Sequence, residues 1–152
     1  MARIPLILHV DDNEDDRLLF ARAFKHSRLS GVLKGVGSAE EALLVLNRTG
    51  PFAQLPRPSL IILDLGLPQL DGRDFLALVR KQLRFKGIPI IVLSGSENYL
   101  DIQHCRELQV VEYLVKVTGM DELVELIATF DRWLVGSSSG MSGRTLTPPP
   151  EP

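Results

Sequence analysis

Asp64 ends an unbroken apolar run, Leu60-Ile61-Ile62-Leu63, and Leu65-Gly66-Leu67-Pro68 follows at once. A buried strand that stops on an aspartate places that aspartate. A second apolar run, Leu6 to Val10 with His9 inside it, stops on Asp11 and Asp12. If the two runs are neighbouring parallel strands, their C-terminal ends lie together. Three carboxylates then converge in the crevice where open α/β sheets keep their sites. Three carboxylates repel one another unless something positive sits among them. A divalent, oxygen-loving cation such as Mg2+, with waters and a phosphate completing its octahedron, meets that need. Two more polar residues stand in equivalent places: Ser94 after Ile90-Ile91-Val92-Leu93, and Lys116 after Tyr113-Leu114-Val115.

The elements that must position these residues are legible in the periodicity. Leu6 to Val10 reads as a strand, and Glu14 to about His26 as a helix with Leu19, Phe20, Ala23 and Phe24 on one face. Val32 to Val36 is a second, weaker strand. Ser38 caps a helix running to about Arg48, with Glu41 completing a capping-box pattern and Ala42, Leu43 and Leu46 inward. Thr49 to Pro58 is a loop by its Gly and Pro content. After the strand Leu60 to Leu63, Asp71-Gly72 precedes a helix that turns Phe75, Leu76, Val79 and Leu83 inward. Ile88 to Leu93 is the fourth strand, with Pro89 tolerated at its beginning. A helix over about Glu97 to Leu108, a strand Glu112 to Val115 and a helix Met120 to Leu134 complete the pattern. Strand and helix alternate five times, which specifies a five-stranded parallel sheet with helices on both faces. Residues 1–135 form this domain. From Gly136 a Gly/Ser/Pro-rich stretch, 136–152, without periodicity reads as a flexible tail or truncated linker.

With 152 residues, 45% of them hydrophobic and 24% charged, the chain suits one domain with a real core. No apolar run approaches the ~20 residues that span a bilayer, and the stretch before the first strand is too short for a signal peptide, so no membrane partner and a cytoplasmic location are expected. The single Cys105 excludes an internal disulfide and reads as a small buried hydrophobe. A net charge of −2 and the lack of a basic stripe exclude nucleic-acid binding by this chain alone. His9 reads as a core histidine, and Glu14, Asp15 and Asp16 as charges that favour the positive end of the first helix more than they bind metal. Gly35-Val36-Gly37 imitates the start of a dinucleotide fingerprint but lacks the third glycine and follows the second strand, so it is set aside.

The separations are 30 residues from Asp64 to Ser94, 19 from Ser94 to Tyr113 and 3 from Tyr113 to Lys116. With the blocks His-Val-Asp-Asp-Asn, Leu-Asp-Leu-Gly-Leu-Pro, Asp-Gly, Ile-Pro-Ile-Ile-Val-Leu-Ser-Gly and Tyr-Leu-Val-Lys, the chain from Ile4 to about Leu134 resembles the receiver domain of two-component response regulators. The longer loop before the third strand resembles the single-domain members paired with phytochrome-type kinases. The resemblance implies a doubly wound, flavodoxin-like (βα)5 fold and a phosphorylation-dependent signalling switch, not an enzyme beyond its own phosphotransfer and dephosphorylation. Asp64 would be the phosphoacceptor, taking a phosphoryl group from a sensor histidine kinase or a histidine phosphotransfer protein. Mg2+ would be held by Asp12, Asp64 and the Gly66 backbone carbonyl, with Asp11 reaching it through water. Lys116 and Ser94 would take the remaining phosphoryl oxygens, and Ser94 with Tyr113 would form the switch. The face of helix four, strand five and helix five would meet the downstream partner or a second copy of the chain, and exposure of Val111 or Val124 would support such a homodimer.

The chain departs from the family at Val117, where proline joined by a cis bond is usual. A cis bond before a non-proline residue costs about 2.5–4 kcal/mol, so a trans Lys116–Val117 bond is expected, with Gly119 absorbing the change through unusual dihedrals. Small residues at Gly66, Gly95 and Ser96 leave room for water near the phosphoacceptor. Two rivals remain. One is an aspartyl-nucleophile phosphohydrolase of the haloacid-dehalogenase type, which needs a second acid where Gly66 stands and a cap for which no segment is long enough. The other is a degenerate receiver that only docks, against which intact Asp64, Asp12 and Lys116 argue.

Overall fold

The computed structural model describes residues 4–138. Five apolar runs form one parallel sheet: β1 (Leu6–Val10), β2 (Val32–Val36), β3 (Leu60–Leu63), β4 (Ile90–Ser94) and β5 (Glu112–Val115), in the spatial order β2-β1-β3-β4-β5. The three central strands are buried along their whole length, as a sheet covered on both faces requires, whereas the edge strands β2 and β5 are only partly buried. Side chains alternate across the sheet and divide the core in two. Leu8, Val10, Ile61, Leu63 and Val92 pack against α2 (Ala39–Asn47), α3 (Gly72–Lys81) and Cys105 of α4 (Tyr99–Glu107). Ile7, Leu60, Ile62, Ile91 and Leu93 pack against α1 (Glu14–Ser27) and α5 (Met120–Ala128). This is the doubly wound, flavodoxin-like α/β fold. The strand order reverses between β1 and β3, so the C-terminal ends of these two strands open the crevice.

Local chemistry sets the ends of the helices. Asn13, Ser38, Asp71 and Asn98 each accept a hydrogen bond from a backbone N–H two or three residues on. Glu41 completes a variant of the capping box, its carboxylate accepting from the Gly37 N–H at 3.0 Å, one residue before the cap. Arg28 and Arg48 end α1 and α2 in the left-handed conformation usually given to glycine, with φ of 62° and 55°.

Several boundaries differ from the periodicity reading. Asn98 caps α4, so that helix starts two residues later than Glu97 and ends at Glu107. β4 begins at Ile90, after Pro89, which has no N–H to give the ladder, and includes Ser94, whose carbonyl accepts the Lys116 N–H at 2.9 Å. α3 stops at Lys81, where Gln82 turns extended, so Leu83 is exposed and Phe85 takes the buried place, flanked by the guanidinium groups of Arg84 and Arg57. The single helix expected over Met120–Leu134 is broken. The Thr129 hydroxyl bonds back to the Leu126 carbonyl at 2.6 Å, the N–H groups of Thr129 and Phe130 close three-residue turns, and α6 (Asp131–Ser138) follows. Gly136 to Ser138, expected as the start of a tail, continue α6. The rest of that expected tail, 139–152, lies outside the described residues. The loop before β3 contains one short helical turn, Gly50–Phe52, which buries Phe52.

Candidate functional site

The β1–β3 pairing sets Val10 beside Leu63, so Asp11 and Asp64 leave adjacent strand ends together. The Asp64 N–H continues the ladder to the Val10 carbonyl at 3.0 Å, and the Asp11 N–H does the same to Val36. Both carboxylates are buried, while Asp12 is exposed at the rim. Oxygens of Asp11, Asp12 and Asp64 can all lie within 4.8 Å of one another, a spacing that fits a hard divalent cation with oxygen ligands. The Gly66 N–H donates to Asp64 Oδ1 at 3.1 Å. Behind the aspartate, Gly72 is required by packing. A Cβ there would press on the Asp64 carbonyl oxygen and lie 2.6 Å from Leu65 Cα, so only glycine lets α3 start against the end of β3.

Lys116 enters from the end of β5. Its ammonium stands 3.0 Å from Asp11 Oδ2, 3.0 Å from Asp64 Oδ2 and 2.8 Å from Asp16 Oδ2. Burial works against its charge, but the three carboxylates outweigh that and hold its pKa above the usual lysine range. Asp11 is shifted upward by burial, partly offset by the Asn13 N–H and Lys116. No cis peptide bond occurs among the described residues, so Lys116–Val117 is trans as expected, and the ammonium still reaches the carboxylates. Gly119 does not absorb the change. It caps α5 with φ −83° and ψ 140°, ordinary extended backbone.

Ser94 closes the fourth side. It is buried at the end of β4 and accepts the Ser96 N–H on its hydroxyl at 3.2 Å. Tyr113, half-buried on β5, donates its hydroxyl to the Ser96 carbonyl at 2.8 Å, which ties the ring to the loop after β4. The same loop is anchored from its other side. The Ser96 hydroxyl donates to Asp101 at 2.8 Å, Asp101 receives two hydrogen bonds of 2.7 Å from Arg73, and Arg73 also holds Asp71 at 3.0 Å. Arg73, aided by Ser96, keeps the Asp101 carboxyl below the usual carboxylate range. Ser96, expected to leave open space, is thus engaged, whereas Gly66 and Gly95 do leave room: a Cβ at Gly66 would meet only Asp64 Oδ1, at 3.9 Å, and one at Gly95 nothing within 4 Å.

All seven residues singled out from the strand ends and from the family resemblance, Asp11, Asp12, Asp64, Gly66, Ser94, Tyr113 and Lys116, gather at this end of the sheet. Three participants escape the sequence. Asp16, read as a helix-dipole charge, bonds Lys116 across 100 residues, and Arg73 pairs with Asp101 across 28. His9 is the core residue expected: it stacks on Phe20 at 4.1 Å, and burial, with Lys116 and Arg17 nearby, lowers its pKa to about 3.

Residues 7–128 match the response regulator receiver domain. The chain is 34% identical over 130 residues to the response regulator Rcp1 of Synechocystis sp., covering 85% of this chain and 88% of that one. The phosphorylated cyanobacterial phytochrome response regulator RcpA superposes with a TM-score of 0.79 at 32% identity, covering 90% of this chain and 98% of its own. The Mn2+-bound form of Rcp1 superposes at 0.75 with 31% identity, covering 94% and 99%. With five parallel strands in the receiver order and an acidic cluster at the switch point, the chain belongs to the response regulator receiver family of two-component signalling.

Proposed function

We propose that this receiver takes a phosphoryl group onto Asp64 from a phosphohistidine of a sensor histidine kinase or histidine phosphotransfer protein, and that the phosphorylated form is its signalling state. The observation that carries the reading is the convergence at Asp64 of a cation, an acidic cluster and a hydroxyl-bearing strand end. An Asp64 carboxylate oxygen attacks phosphorus, the P–N bond breaks with its electron pair going to the imidazole nitrogen, and an acyl phosphate remains. Such a transfer needs positioning and neutralisation of the equatorial oxygens more than covalent assistance. Asp11, Asp12 and Asp64, with the Gly66 carbonyl, would hold Mg2+, which when bound supplies charge neutralisation and orients the phosphoryl oxygens. The Lys116 ammonium and the Ser94 hydroxyl donate to the remaining oxygens. The Ser94 hydroxyl, on turning to the phosphoryl group, gives up the Ser96 N–H and draws its loop and Tyr113 with it, a two-state element biased by charge-assisted hydrogen bonds. The likeness to the phytochrome response regulator RcpA favours a phytochrome-type kinase as the donor.

The test is incubation with acetyl phosphate and Mg2+ followed by intact mass. The wild-type chain gains one phosphoryl group, and Asp64→Asn, which nearly conserves size and shape, gains none while keeping the native melting profile. Labelling of the Asn variant at the wild-type rate would show that another residue is the acceptor. Sustained turnover of acetyl phosphate without accumulation of label would favour the phosphohydrolase reading instead.

A further inference from the structure

Asp16 stands outside the set of residues that the phosphoacceptor reading uses, yet it makes the shortest of the three contacts to Lys116, 2.8 Å against 3.0 Å for Asp11 and Asp64. Its place is set by the start of α1. Asn13 caps its N–H at 2.9 Å, and Arg17, one residue on, donates to the Asp11 carbonyl at 2.6 Å, which clamps the first turn against the end of β1. An ammonium has three donors, and here three carboxylates receive them. A phosphoryl group arriving at Asp64 needs one of those donors, so one partner must let go. The side chains of Asp11 and Asp64, 2% and 10% exposed, are fixed in the crevice where they would hold Mg2+, whereas that of Asp16 is 40% exposed and can turn to water at little cost. Beside the bridge lies a cavity of about 290 Å3 between α1 and the start of α5, lined by Leu19, Phe20, Leu93, Val117 and Leu123, which gives the lysine stem room to shift.

We propose that Asp16 is a positioning residue for phosphoryl acceptance: a fixed anion that holds Lys116 at the rim of the crevice in the resting protein and competes with the phosphoryl group for its ammonium. The inference rests on the reading of Asp64 as phosphoacceptor. Asp16 slows entry of the anionic donor in two ways, by occupying a donor of Lys116 and by adding negative charge at the mouth. Its release on phosphorylation frees the first turn of α1 from the segment after β5.

The test compares the full chain with Asp16→Asn, Asp16→Glu and Asp64→Asn, labelled by acetyl phosphate and Mg2+ at several acetyl phosphate concentrations. In each labelling event the Asp64 oxygen–phosphorus bond forms as the acetyl phosphate P–O bond breaks, and acetate leaves with the electron pair. Asp16→Asn is expected to label about 2–5-fold faster, the size of one partly exposed ion pair, with a lower half-saturating acetyl phosphate concentration. Asp16→Glu keeps the charge and stays near wild type. In the metal-free protein, the Lys116 ammonium protons exchange with water faster in the Asn variant. A purely structural role would lower the melting temperature of the Asn variant and leave its rate per folded molecule unchanged or reduced, and that result overturns the proposal, as does equal acceleration by Glu or unchanged ammonium exchange. A wild-type chain that takes no label at all overturns the phosphoacceptor reading, and this proposal with it.

Discussion

At the scale of single residues, the chemistry of the crevice follows from how charge is shared around one ammonium. Lys116 is about a quarter exposed and faces two buried carboxylates, so removing it leaves like charges close together without a counter-ion. Lys116→Ala is expected to lower stability by about 1–3 kcal/mol in metal-free buffer, less than for a fully buried pair because water reaches the site. Mg2+ should restore much of that loss, since the cation binds the folded state alone. Urea unfolding with and without Mg2+ checks both parts. His9 supplies the pH dependence. Its pKa falls from 6.5 to about 3 because burial, then Lys116 and Arg17, disfavour the imidazolium. The unfolded chain therefore binds the proton first, and the stability that neutral His9 contributes is complete above pH 6.5 and lost as pH falls toward 3. Between pH 6 and 4 this one group adds a slope of about 1.4 kcal/mol per pH unit. His9→Phe, which keeps the stack on Phe20, should remove that component, so equal slopes for the two proteins in unfolding experiments across this range would contradict the assignment.

At the scale of elements, the connections matter as much as the helices and strands they join. Arg80, in the last turn of α3, donates to the carbonyls of Lys86, Ile88, Leu108 and Gln109, tying the helix to the entry of β4 and to the turn between α4 and β5. Arg80→Met keeps the stem packed but leaves four carbonyls without this donor, and a loss of about 2–3 kcal/mol is expected in denaturant unfolding, with little change in phosphoryl acceptance because the residue lies at the opposite end of the sheet. Little of this was legible beforehand. The helix pattern placed Leu83 inward, yet α3 ends earlier and Phe85 fills the core. A 3.6-residue period shows which residues share a face while the helix lasts, and carries weak information on where it stops when the stop is made by a distant side chain or by a threonine bonding back on its own helix.

At the scale of the whole molecule, the question is what the receiver offers to partners. Val111 and Val124, whose exposure would have supported a dimer through α4, β5 and α5, are half-buried against the second core cluster. Tyr99 and Leu100 at the start of α4 are exposed instead, at 56% and 74%. With Val115 of β5, 39% exposed, they make a small apolar area beside the several hundred Å2 of a stable interface. We therefore expect a monomer in resting and beryllofluoride-bound states by light scattering, and a dimer in either would refute this. Among the described residues no helix is long and apolar enough to cross a membrane.

The sequence by itself determined the parallel α/β architecture and the residues that meet in the crevice, because both are written locally. Buried strands are continuous apolar runs, amphipathic helices repeat on their own period, and a functional group at a strand end is placed by the strand that precedes it. The preference for a trans bond before Val117 was likewise a property of one peptide unit. Only the tertiary structure decided that Asp16 joins Lys116, that Arg73 and Asp101 brace the loop carrying Ser96, and that Arg80 fastens two connections. Those pairs bridge 100, 28 and 28 residues, and their existence depends on how helices lie across the sheet. A charge on a helix looks the same in sequence whether it faces water or another chain segment's ammonium, and only packing distinguishes the two.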